Sequence, residues 1–148
     1  MPTPHDWIWV SPEFQSAISH LAYLLRMRTF GLQGIYNFPI SFFTSCTNIT
    51  DLSIHLCGLQ DYAPLGYGET GSIAGLHTLD LCGISAVVAK LICGRSQDGS
   101  LILDFSHLQE LHISIPEHEV LPALQEIFKR APKPISLCLR ATQQCVCH

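Results

Sequence analysis

Five short stretches of the chain alternate apolar and polar residues with a period of two: TFGLQ at 29–33, DLSIH at 51–55, TLDLC at 78–82, ELHIS at 110–114 and SLCLR at 136–140. Successive side chains of a strand point to opposite faces, so each stretch predicts a short strand with one apolar side. A longer spacing surrounds each of them. Around the second, Ile49, Leu52, Ile54, Cys57 and Leu59 occupy the positions of L-x-x-L-x-L-x-x-C-x-L. The pattern returns at Met27, Phe30, Leu32 and Ile35, then at Leu76, Leu79, Leu81 and Ile84, then at Leu108, Leu111 and Ile113. A weaker copy stands at Pro134, Leu137 and Leu139. The central positions, Phe30, Leu52, Leu79, Leu111 and Leu137, are separated by 22, 27, 32 and 26 residues.

Between the strands the apolar period lengthens to that of a helix. SPEFQSAISHLAYLLR, 11–26, opens with Ser-Pro-Glu and predicts a helix. EHEVLPALQEIFKR, 117–130, predicts another, with acids early and Lys129 and Arg130 late, as the helix dipole favours. SAVVAKLIC, 85–93, predicts a shorter third helix, and FPISFFTSC, 38–46, a turn or two with Pro39 early in it. LQDYAPLGYGETGS, 59–72, is rich in Gly, Pro and polar residues and predicts a surface loop. CGRSQDGS, 93–100, predicts a second loop, whose Asp-Gly turn accounts for the longest step.

A strand and a return segment that each have one apolar side cannot bury both alone, so neighbouring units must lie side by side. The spacing is that of a leucine-rich repeat, with a period of about 20–29 residues. The expected fold is α/β: a right-handed leucine-rich-repeat solenoid of about five parallel strands, with helices and loops on its convex side. Residues 1–26 would form an N-terminal segment and capping helix, 27–140 the irregular repeats, and 141–148 a frayed tail. ATQQCVCH is too short to cover a fifth strand, and DWIWV resembles the tail of a preceding unit, so the sequence is expected to be a piece of a longer array.

Composition narrows the function classes. The 148 residues are 47% apolar and carry a formal net charge of -4. Scattered Lys and Arg leave no footprint for a polyanion, so nucleic acid is not an expected partner. The start MPTPHDWIWVSPEF lacks the basic and apolar regions of a secretory signal. ISAVVAKLIC, the longest apolar run, falls short of the roughly 20 residues that span a bilayer. No membrane contact is expected, and the anticipated location is intracellular, cytoplasmic or nuclear. In a reducing compartment the seven cysteines stay thiols, and Cys46, Cys57, Cys82, Cys93 and Cys138 are expected as small buried hydrophobes.

NFPISFFTSCTNITDLSI, LHTLDL, ILDFSHLQELHISI and VLPALQEIFKRAP resemble the irregular leucine-rich-repeat region of fungal F-box-type proteins, over about residues 7–140. That resemblance implies a protein-binding module of the kind that chooses substrates for a ubiquitin ligase, with no catalytic residues. No Leu-Pro-x-Glu start precedes residue 11, so binding to the ligase adaptor is not carried over to any position.

The polar residues of the strands point away from the apolar side and form three columns. The first is Thr29, Asp51, Thr78, Glu110 and Ser136; the second Gly31, Ser53, Asp80, His112 and Cys138; the third Gln33, His55, Cys82, Ser114 and Arg140. Asp51, Ser53, His55, Thr78, Asp80, Glu110, His112 and Ser114 are the expected partner-binding residues. Asp51, Asp80, Glu110 and His112 lead the set, and Asp80 and His112 are an expected neighbour pair. The acidic sign suits a partner with basic or hydrogen-bond-donating groups.

Ser53, Asp80 and His112 on consecutive strands raise the alternative of a hydrolase. Strands are about 4.8 Å apart, so serine and histidine would stand two spacings from each other with the carboxylate between them, the wrong order for a triad. A second alternative is a truncated repeat fragment without independent function. Cys46, His55 and Cys57 do not converge on a metal, because the cysteines fit apolar positions while the histidine points outward. Cys145, Cys147 and His148 belong to the tail, and a final His does not suit a prenylation box. No metal or cofactor is expected. The sequon at Asn48 fits a turn before a strand; the remaining histidines fit ordinary surface positions, and Trp7 and Trp9 fit core or end cover.

Overall fold

The computed structural model describes residues 6–24, 27–40, 42–46, 48–60, 73, 75–83, 91–92, 101–114, 120–131 and 133–139. Seven strands lie in the described chain: β1 (Thr29–Gln33), β2 (Phe38–Pro39), β3 (Asp51–His55), β4 (Leu59–Gln60), β5 (Thr78–Cys82), β6 (Glu110–Ser114) and β7 (Ser136–Leu139). Three helices accompany them: α1 (Pro12–Leu24), the single turn α2 (Phe42–Ser45) and α3 (Val120–Arg130), with a 3-10 turn at Trp7–Trp9. The protein is α/β, built on a parallel five-stranded sheet in the order β1-β3-β5-β6-β7. The sheet therefore grows in chain order.

All five predicted strands form, and in the predicted register. Thr29 pairs with Asp51, Asp51 with Thr78, Thr78 with Glu110 and Glu110 with Ser136, so the apolar rows coincide. Slipping any strand by one residue would turn its apolar side outward, which is why the pattern pins the register. The rows are closed to water in the middle: Leu52 and Ile54 are each 2% exposed, and Leu79 and Leu81 are fully buried.

One hydrogen-bond motif recurs at the strand starts. The N–H groups of Thr50 and Asp51 both donate to Arg28 O, those of His77 and Thr78 to Thr50 O, and those of Gln109 and Glu110 to His77 O. At the strand ends Gly34 N donates to His55 O, Leu56 N to Cys82 O and Gly83 N to Ser114 O. Gly34, Leu56 and Gly83 all adopt positive φ there, the left-handed turn that sends the chain off the sheet.

A second ladder runs on the opposite side of the core. Phe38 pairs with Leu59 and Pro39 with Gln60 in parallel, and isolated parallel bridges join Asp6 to Tyr36 and Ile73 to Leu103. Two expectations are corrected here. Pro39 sits in a strand and the helical turn starts later, at Phe42, because a residue before proline is driven to extended backbone. Leu59 and Gln60 form β4 and Leu59 is buried, so the segment assigned to a surface loop begins inside the structure; 61–72 lie outside the described residues. The helix at 85–93 is described only at Leu91 and Ile92, which are helical and fully buried, and the loop at 93–100 is outside the described residues.

Aromatic residues fill the first turn of the chain. Phe38 packs edge-on against Trp7 at 4.8 Å and against Phe42 at 5.1 Å, while Phe30 lies 4.9 Å from Phe42. Trp7 is thus core, whereas Trp9 is exposed. At the other end Arg130 pairs with Glu126 within α3 at 2.6 Å and donates to Ile92 O at 3.2 Å, which ties α3 to the helical segment at 91–92.

Gly83 has φ +125°, and a Cβ placed on it would meet Leu56 Cα and N at 3.2 Å. Gly83→Ala is therefore expected to lower stability by about 1–3 kcal/mol in urea unfolding. Gly75→Ala, whose added carbon meets nothing within 4 Å, should change it by less than about 0.5 kcal/mol.

Candidate functional site

The polar faces of five aligned strands make one surface. Its first column runs Thr29, Asp51, Thr78, Glu110 and Ser136, and its second Gly31, Ser53, Asp80, His112 and Cys138. The third runs Gln33, His55, Cys82 and Ser114; Arg140 lies outside the described residues. Asp51, Ser53, His55, Thr78, Asp80 and His112 are half-buried, and Glu110 is exposed. Seven of the eight expected residues thus offer atoms to solvent. Ser114 is the exception at 8% exposed: its carbonyl accepts from Gly83 N at 3.3 Å, so the turn leaving β5 lies against it.

The charges on this face are arranged diagonally. Asp80 Oδ2 stands 3.2 Å from His55 Nε2, reaching back one strand and one column. Asp80 and His112 are register partners, the expected neighbour pair, but no ion pair joins their side chains. His112 Nε2 instead lies 3.6 Å from Glu110 Oε2, two residues earlier on its own strand. Carboxylate side chains can lean along a strand as easily as across it, and each here takes the imidazole on its own side. Asp51 Oδ2 accepts from the Thr50 hydroxyl at 3.0 Å.

Neither imidazole is satisfied by these contacts. His55 Nε2 is buried and lies within ion-pair distance of Asp80 but out of line for a hydrogen bond, and His112 Nδ1 is buried with no partner among the described residues. An unpaired buried polar atom costs about 1–3 kcal/mol, so the face carries two groups that gain from an added hydrogen-bonding partner. Surface pairs of this exposure hold the fold by about 1 kcal/mol or less.

The register places Ser53 beside Asp80 and Asp80 beside His112, which leaves Ser53 and His112 two strands apart. That separation is about 9.6 Å, beyond the reach of a proton transfer between them. Among the described residues no group of three His, Cys, Asp or Glu side chains is placed to hold a metal ion. No helix of the described residues is long and apolar enough to cross a membrane.

The cysteines divide by parity. Cys46 and Cys57 are buried in the core as expected, but Cys82 and Cys138 are half-buried on the polar face, a correction to the expectation of buried hydrophobes. They occupy outward positions of β5 and β7, and strand alternation overrides their apolar chemistry. Cys93 and the 145–148 group lie outside the described residues. Asn48 is exposed in a turn, where the sequon was placed.

Comparison with models of protein families, with curated proteins and with solved structures finds no match to this chain.

Burial pushes the Cys46 thiol up from 9.0 to about 12, and burial also raises Cys57, opposed by hydrogen bonding from the backbone of Ile35, His55 and Gly34. Because the folded value of Cys46 lies above the free one, its stabilising contribution is complete below pH 9 and is lost as pH rises toward 12. Two results follow. At pH 8 a thiol reagent should modify Cys138 in the native protein and reach Cys46 only on unfolding, as read by peptide mass mapping. Cys46→Ala should flatten the decline of melting temperature between pH 9 and the onset of general alkaline unfolding.

Proposed function

We propose that the chain is a leucine-rich-repeat solenoid whose polar sheet face binds a protein partner without chemistry of its own. The observation that carries this reading is the alignment of Asp51, Asp80 and Glu110 with His55 and His112 on one face of consecutive strands. Repeated strand steps, a growing parallel sheet, recurrent turns and a second ladder behind the first support the repeat architecture. Repeat arrays recognise partners through broad surfaces built from many shallow contacts.

The partner that suits this face presents Lys, Arg or hydrogen-bond-donating groups. Three carboxylates are close enough to act together, and the steering they provide is strongest at low salt. In keeping with the resemblance in sequence, the role is that of a substrate-selecting part of an F-box-type ubiquitin-ligase subunit, acting inside the cell. The separation of Ser53 from His112 supports a binding role over hydrolysis.

The test compares proteins retained by the wild-type chain, by Asp80→Lys with Glu110→Lys, and by Lys129→Glu on the outer surface of α3. Retention of the cognate partner should fall at least about tenfold for the double variant and stay unchanged for Lys129→Glu. An unaltered set of partners on the double variant would refute the reading. A fluorophosphonate probe should leave Ser53 unlabelled under native conditions, and labelling that is lost in Ser53→Ala would favour a hydrolase instead.

A further inference from the structure

Both ends of the sheet leave apolar side chains exposed. β7 pairs with β6 on one side, and among the described residues no strand pairs with the other. Its apolar row is uncovered: Leu137 is 41% exposed and Leu139 63%, where their register partners Leu111 and Ile113 are buried. Among the described residues nothing seals this side of the strand. At the opposite end α1 carries an apolar stripe at helical spacing, Phe14, Ile18 and Leu21. Ile18 packs on the core, but Phe14 is 54% exposed and Leu21 45%. In α3 Leu124 packs on the core and Ile127 is fully buried, while Leu121 and Phe128 are exposed at the β7 end of the molecule's helical side. Among the described residues nothing seals Phe14 and Leu21 of α1.

We infer that the β1 end of one copy of this chain docks on the β7 end of another, head to tail. Among the described residues β1 and β7 are the edges of a parallel sheet grown in chain order and run in the same direction, so β1 of a second copy extends β7 as a sixth strand without reversal. α1 precedes β1 as α3 precedes β7, so stacking β1 beside β7 carries α1 under Leu137 and Leu139. The strand-start motif continues through the joint. Carbonyls of residues 28, 50 and 77 each accept two N–H groups from the next strand; in β7 the corresponding acceptor is Ile135 O, and the donors a second copy brings are Arg28 N and Thr29 N.

A joint of this kind is heterologous: the joined pair keeps one free β1 end and one free β7 end, so it builds chains of copies rather than a closed pair. It leaves the polar columns open and lengthens them. The inference rests on the sheet's edges and does not depend on what the polar face binds.

Light scattering during gel filtration over about 1–100 μM should show a mass that rises with concentration. Two variants separate the ends: Leu137→Lys with Leu139→Lys blocks the β7 end, and Phe14→Glu with Leu21→Lys blocks the β1 end. Each should be monomeric alone with a cooperative melt, and the two mixed should stop at a one-to-one dimer, because each retains the end the other lacks. A wild-type chain that stays monomeric, a blocked variant that still pairs with itself, or a mixture that remains monomeric would each overturn the inference. A readout on the unaltered chain guards against misfolded variants: hydrogen exchange at β1 and β7 amides should slow together on concentration. Slowing at β7 alone, or at neither, would count against it.

Discussion

A strand of five residues with two inward apolar side chains cannot bury them by itself, and nearly every feature of this chain follows from that shortage. Burial comes only from a neighbour on each side and a return segment beneath. Where all are present the inward residues are sealed, as at Leu79 and Leu111, both fully buried. At the edges the rows open in part: Phe30 is half-buried in β1 although Leu32 beside it is buried, and Leu139 is 63% exposed in β7. Removing about 25 cal/mol per Å² of apolar surface from water is the term that favours each added strand.

The same constraint explains what could be foreseen in the sequence. A period of two decides which side of DLSIH or ELHIS faces the core, and common burial of the apolar sides then fixes how the strands align. Strands, register and the three outward columns follow from those two steps. The second ladder does not. β2 and β4 have two residues each, too few to display a period, and Leu59 opens a Gly- and Pro-rich segment whose composition points to a loop. Proline at position 39 suits the first turn of a helix and an extended strand alike; only the pairing partner on β4 separates them.

The polar face was legible as a set of residues and not as a set of contacts. Alternation places Asp80 and His112 on the same side, while the choice between His55 and His112 as the neighbour of Asp80 depends on side-chain torsions that no sequence pattern encodes. Cysteine shows the same limit from the other side. Cys46, Cys57, Cys82 and Cys138 have one chemistry, yet two lie in the core and two on the face, and position in the strand decides which. Reading cysteine as a hydrophobe gives the right answer only where parity agrees.

Backbone conformation adds a last step. The chain leaves β1, β3 and β5 through the left-handed region at Gly34, Leu56 and Gly83, and a leucine there costs about 1–2 kcal/mol that glycine avoids. In this conformation the Leu56 N–H is bonded to Cys82 O at 2.8 Å, and its backbone lies where a Cβ on Gly83 would meet it at 3.2 Å. The two positions are therefore coupled: the absence of a side chain at 83 is what lets the turn at 56 close over it. The polar columns lie level across β3, β5 and β6 because one register runs through all three strands, and hydrogen-bonded pairing spaces the acidic face at about 4.8 Å per strand.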